Sequence, residues 1–230
     1  MPLVLALIFS MGGGVAQIYA TPTPKQKIAI STDLPPLPIE EVGKIEVLPS
    51  VFPESWVYID ESSFSSMFGG KMIVLDVAET NPHKRIKGTA DKNLIGNFVA
   101  PKSREEFYIA ESFHPRGSRG PRTDVLVIYD KKTLSPIKEF VLDDIRLTAL
   151  PRRHAMTLSE DEKFLYSANF SPAASITVVD LDKREIVGTI GTPGCVLPFP
   201  TGKRSITSIC SNGSLLTTVL DEEGKKLFTT

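Results

Sequence analysis

Phe164-Leu165-Tyr166-Ser167-Ala168-Asn169-Phe170, then Ser171 to Ser175, then Ile176-Thr177-Val178-Val179-Asp180, then Lys183 to Ile190, is the stretch that decides the fold. It reads as three antiparallel strands: an aromatic run, an apolar run closed by Asp, and a run that follows Lys183-Arg184-Glu185 and ends at Gly191. The apolar-apolar-Asp ending recurs at Val74-Leu75-Asp76, Ile128-Tyr129-Asp130, Val178-Val179-Asp180 and Val219-Leu220-Asp221, roughly 40 to 55 residues apart. Units of that period with several strands each predict the blades of a β-propeller rather than a helical solenoid. The expected fold class is therefore all-β.

The neighbouring units follow the same plan. Trp56 to Asp60, Lys71 to Asp76 and His83 to Gly88 form the first blade, with a loop through Ser62-Ser63-Phe64-Ser65-Ser66. Asn97 to Ala100 is a short inner strand. The second blade starts at Phe107 to Ala110 and takes in Asp124 to Asp130 and Pro136 to Leu142, with an insertion at Glu111 to Arg122. Ala155 to Leu158 opens the third blade, and the charged run Ser159-Glu160-Asp161-Glu162-Lys163 is a solvated turn between apolar strands. Ser205 to Ser208 and Leu215 to Leu220 belong to a fourth, and Leu227 to Thr230 opens a strand with nothing after it. Residues 51–230 thus read as a partial propeller of three to four blades, against about four to eight in complete ones.

With 26 Lys plus Arg against 27 Asp plus Glu, no basic footprint for nucleic acid exists. The 18 Pro and 16 Gly suit a chain of many turns, and no long helical stripe interrupts them. Leu3 to Met11 is an apolar run followed by Gly12 to Gly14 and Ile18-Tyr19-Ala20, so residues 1–20 read as a cleaved secretory signal, though no Lys or Arg precedes Lys25. An uncleaved membrane anchor is the alternative; stable membrane insertion is not expected. Residues 21–50, rich in Pro, read as an extended leader. In an exported chain the even count of two cysteines, Cys195 and Cys210, suggests a bridge, with two unrelated buried thiols as the alternative. Such a bridge stabilises by about 3 kcal/mol in the chain-entropy model.

No catalytic constellation stands out. His83, His114 and His154 lie in different blades without ligand spacing, so no metal site is expected. Asp60-Glu61 and Asp143-Asp144 sit at strand ends, where turn chemistry accounts for them. Two loops are candidates for recognition, because propellers carry binding residues between blade strands. One holds Phe64, which alternatively tucks against its own blade. The other is the Glu111–Arg122 insertion, with Arg116, Arg119 and Arg122 as cationic contacts for a partner, or else a flexible basic loop.

Several runs carry a resemblance. Arg122-Thr123-Asp124, the strand to Asp130 and Leu134-Ser135-Pro136-Ile137 keep one order. Met156 to Leu165 is followed by Asn169-Phe170-Ser171-Pro172-Ala173 and Val178-Val179-Asp180-Leu181. Cys195, Phe199-Pro200-Thr201, Cys210 and Asn212-Gly213-Ser214-Leu215 complete the set. From Val51 onward the chain resembles the heavy subunit of quinoprotein amine dehydrogenases, the methylamine and aromatic amine dehydrogenase family. That resemblance implies a seven-bladed propeller, within the usual range of about four to eight. It implies a periplasmic heterotetramer of two heavy and two light chains, in which tryptophan tryptophylquinone on the light subunit oxidises primary amines and a small copper protein takes the electrons. Catalytic groups are then not expected on this chain, which scaffolds the light subunit and lines part of the substrate channel. By position, Phe64 resembles a channel-lining Phe, and Cys195 and Cys210 resemble the family's disulfide pair. The family chain continues well beyond the point matching Thr230, which implies a fragment, a split gene product or a decayed copy. A non-catalytic exported binding propeller is the competing reading, and a propeller lactonase would need a His, Glu and Arg cluster absent here.

Overall fold

A computed structural model describes residues 47–62, 69–93, 95–117, 119–143, 145–146 and 152–230. The described strands lie in one compact unit, Ile45–Thr230. They form four antiparallel sheets in chain order. The first is β1 (Trp56–Glu61), β2 (Gly70–Asp76) and β3 (Ile86–Lys92). The second is β4 (Asn97–Val99), β5 (Glu106–Phe113), β6 (Thr123–Asp130) and β7 (Pro136–Leu142). In the third, β10 (Phe164–Ser171) pairs β8 (Ile145–Arg146), β9 (Met156–Leu158) and β11 (Ser175–Asp180), and β12 (Glu185–Gly191) follows β11. The fourth is β13 (Cys195–Gly202), β14 (Ser205–Cys210), β15 (Leu215–Leu220) and β16 (Lys226–Thr229). This is the partial β-propeller expected.

The core is three interfaces between successive sheets, and strand alternation builds them. In β5, Phe107 and Ile109 pack with Met72 and Val74 of the first sheet, while Tyr108 and Ala110 pack with Leu165 and Val179 of the third. In β10, Leu165 faces back to the second sheet, whereas Phe164 and Tyr166 face forward to Ile206 and Leu220 of the fourth. Strands β5, β6, β10 and β11 are therefore buried on both faces, which is why their sequences run apolar without the polar alternation of a one-sided sheet. Each such large side chain, fully buried, stabilises by about 1.5–3 kcal/mol.

The recurring Asp is explained at the turns. Asp130 Oδ1 accepts from Lys132 N (2.9 Å), Thr133 N (2.7 Å) and Thr133 Oγ1 (3.0 Å). Asp180 Oδ1 accepts from Asp182 N and Lys183 N, Asp221 Oδ1 from Glu223 N and Lys225 N, and Asp76 Oδ1 from Ala78 N. A carboxylate at the strand end holds the amides of the turn that follows it, once per blade.

Four details depart from the expectations. The first blade's third strand is Ile86–Lys92, not His83 to Gly88. Pro82 suits a helical first position, and Asn81 Oδ1 accepts from His83 N at 3.0 Å, so Pro82–Lys84 is a 3-10 turn. The fourth sheet, expected to be only part of a blade, has four strands with β16 as its last; the three-stranded sheet is the first, among the described residues. Strand β13 gives a weak strand signal in sequence because Pro198 and Pro200 interrupt it. It lies at the sheet's inner edge, where a missing N–H leaves no ladder bond unmade, and its pairing is bulged between Val196 and Phe199. Lastly, the 159–163 turn is not merely solvated. Glu162 accepts from Lys102 N (2.5 Å), Ser103 N (2.9 Å) and the Ser103 hydroxyl, and Asp161 Oδ2 from Arg204 Nη1 (2.7 Å), clamping the third blade to both neighbours.

The signal and most of the leader lie outside the described residues. At the leader's described end, Leu48 N donates to Lys132 O (2.9 Å) and the side chain packs on the first interface. Among the described residues no helix is long and apolar enough to cross a membrane.

Candidate functional site

Antiparallel order brings the two candidate loops to one end of the blades. The connections β1–β2, β3–β4, β5–β6, β12–β13 and β14–β15 all leave there, whereas the Asp-capped turns leave at the other end. Phe64 falls in 63–68, outside the described residues, but the base of its loop is well defined. The Lys92 side chain is fully buried, with Nζ 2.6 Å from Asp60 Oδ1 and donating to Ser62 Oγ and Gly96 O at 3.3 Å. At Gly70 a Cβ would stand 2.7 Å from Glu61 O, so the two limbs of the loop approach as closely as they do only because glycine is there. Burial pushes the neighbouring Tyr58 phenol up to about 12, so it stays a neutral packing group at physiological pH.

The insertion closes on itself. Arg116 and Arg119 exchange backbone hydrogen bonds at 3.1 and 3.2 Å, and His114 Nδ1 lies 3.1 Å from Gly120 O. Both arginines are exposed at the tip. Arg122 turns inward instead: its Nε donates to Asp124 Oδ1 (2.8 Å) and its Nη2 to Arg146 O (3.2 Å). The three arginines named together from sequence are thus two of one kind and one of another.

Beneath the insertion lies a buried polar cluster that sequence reading missed. Arg146, 1% exposed, donates through Nη1 to Asn97 Oδ1 (2.8 Å) and through Nη2 to Ile95 O (2.7 Å). Its own N–H donates to Asp124 Oδ2 (3.0 Å), and Asp124 Oδ1 also accepts from the Ser112 hydroxyl. Beside it, Glu111 Oε1 accepts from Asn93 N (2.8 Å). Desolvation pushes Arg146 down to about 10 and raises Glu111 above the usual carboxylate range. The cluster ties the second and third blades together under the loops. Its sequence signal is faint, since Arg146 follows Asp143-Asp144 as one more charge after an apolar strand.

At the same end, Cys195 and Cys210 are directly opposed across β13 and β14 and joined by a disulfide. The histidines are dispersed: His83 in the 3-10 turn, His114 in the insertion, and His154 against Phe199 with ring centroids 4.9 Å apart. Among the described residues no three His, Cys, Asp or Glu side chains gather into a metal-binding group. What the loop end offers is a shaped surface on a rigid base, with an exposed cationic tip.

Comparison with known proteins agrees with this architecture. Residues 57–230 match the family model of the methylamine dehydrogenase heavy chain. The methylamine dehydrogenase heavy chain of Methylorubrum extorquens is 28% identical over 221 residues, covering 96% of this chain and 52% of that protein. Those of Methylophilus methylotrophus and Paracoccus versutus are each 31% identical, over 141 and 132 residues, covering 61% and 57% of this chain and 35% and 31% of theirs. The chain therefore spans about half the length of the curated relative it matches most extensively. With the blade order, the paired cysteines and the family match over its strands, this chain belongs to the methylamine dehydrogenase heavy chain family.

Proposed function

We propose that this chain serves as the heavy subunit of a periplasmic quinoprotein amine dehydrogenase. In this reading it scaffolds a light subunit and shapes the approach to that subunit's active centre. The light subunit carries tryptophan tryptophylquinone, which supplies the oxidation of a primary amine to aldehyde and ammonia. The electrons then go to a copper protein. The chain's own part is non-catalytic. The observation that carries the reading is the family match over residues 57–230, laid on four sheets whose β1–β2 and β5–β6 connections leave one end together.

Within that end, the exposed Arg116 and Arg119 are the partner contacts, and Arg122 anchors the insertion through Asp124. Phe64 lines the substrate channel from the loop held by Asp60 and Lys92. The test is affinity purification of the full-length chain from its native periplasm, with quinone staining of what accompanies it. A small quinone-bearing partner, lost on Arg116→Ala/Arg119→Ala and kept on an unrelated surface change, is the expected result.

The second reading is an exported binding propeller without this chemistry. It predicts a soluble periplasmic chain that purifies without any quinone-bearing subunit.

A further inference from the structure

A groove of about 1010 Å³ runs along the innermost described strands of three successive sheets, over β1, β4 and the segment leading into β9. Its floor is apolar and aromatic, from Tyr58, Phe98 and Val99. Its charged lining is Asp60, Lys102, Arg152 and Arg153, with the His154 ring beside them. Asp60 is already neutralised by the buried Lys92 at 2.6 Å. Lys102, Arg152 and Arg153 have no ion pair among the described residues. That sets them apart from Arg104, Arg122, Arg146, Arg184 and Arg204, each of which stands against a carboxylate. The segment bearing the two arginines is nonetheless held in place. Arg152 O accepts from Asn97 Nδ2 (3.2 Å) and from Ala155 N (3.0 Å), and the His154 ring leans on Phe199.

A fixed backbone presenting two arginines with no ion pair among the described residues beside an apolar floor favours negative charge and disfavours an ammonium group. The planar fork of Arg matches the paired oxygens of carboxylate and phosphate. We propose that this inner-strand groove is a binding site for a multivalent oxyanion, held chiefly by Arg152 and Arg153. The inference stands apart from the amine dehydrogenase reading, because it concerns only this chain's own groove.

The test is calorimetric titration of the intact chain, at low ionic strength, with inorganic phosphate and separately with citrate. Saturable binding of at least one anion is expected, weakened about tenfold or more in Arg152→Gln/Arg153→Gln. It should be unchanged in Arg116→Gln/Arg119→Gln, an equally exposed pair at the insertion tip. Phosphate alone as the binder assigns the site to a phosphate-bearing ligand, and citrate alone to a carboxylate-bearing one. Should the glutamine pair fail to fold, Arg152→Lys/Arg153→Lys takes its place: it keeps the charge, loses the fork, and must weaken binding by a smaller factor. No saturable binding of either anion overturns the proposal, as does binding that neither Arg152/Arg153 variant weakens.

Discussion

Gly224 shows how much a single residue carries where two blades meet. It sits in the β15–β16 turn with φ +81°, and a Cβ there would stand 2.6 Å from the Phe164 ring. Phe164 is fully buried, with Lys163 Nζ and the Arg204 guanidinium each 5.0 Å from its ring centroid. Gly224→Ala therefore meets left-handed backbone strain and a rigid ring together, and should destabilise by about 2–4 kcal/mol, read as a lower urea midpoint. Glu111 makes an opposite point about charge. Because burial raises its folded pKa above the unfolded value, ionisation is disfavoured in the native state. Its contribution to stability thus falls as pH rises from the ordinary glutamate range through the raised value. Glu111→Gln keeps an oxygen for Asn93 N and should show a smaller loss of stability than the native chain as pH rises above the ordinary glutamate range, in paired urea titrations.

At the level of the element, the Asp-capped turn is the repeating device. Asp130 gathers two backbone amides and a hydroxyl, and Leu134, four residues on, takes a left-handed φ of 54° to return the chain into β7. Asp130→Ala leaves those amides to water and should cost about 1 kcal/mol. The backbone hydrogen bond from Thr133 leads the effects that hold the Asp130 carboxyl below its usual range. A depressed folded pKa gives stability that is present above the unfolded value and lost as pH falls through the folded one. The native chain should therefore lose more stability than Asp130→Ala on acidification below about pH 4, in thermal melts followed by circular dichroism.

For the molecule as a whole, stability resides between blades. Leu165 faces the second sheet from the third, packed with Tyr108, Leu126 and Val179. Leu165→Ala should cost about 2–5 kcal/mol, and the loss should reach both sheets in hydrogen exchange, because neither holds its face without the other. A clamp at the Asp-turn end and the Arg146 cluster at the loop end close the interface of the second and third sheets from both sides. Glu162 with Ser103 belongs to the first, Arg146 with Asn97 to the second.

The strand cassette by itself determined the all-β class, the blade repeat and the hairpin corners, because period and apolar runs follow directly from two-sided burial of β5, β6, β10 and β11. It also placed the insertion and the cysteine pair, since both are local features of the chain. It did not separate Arg122 from Arg116 and Arg119, because the difference is a carboxylate, Asp124, that only folding sets against one of them. It did not reveal Arg146, whose partners Asn97 and Ile95 come from the preceding blade. Nor did it assign Arg152 and Arg153 to the groove they share with Tyr58 and Phe98. Strand pattern is written in neighbouring residues, whereas charge pairing and groove walls depend on which blades stack. Only the tertiary structure decided those.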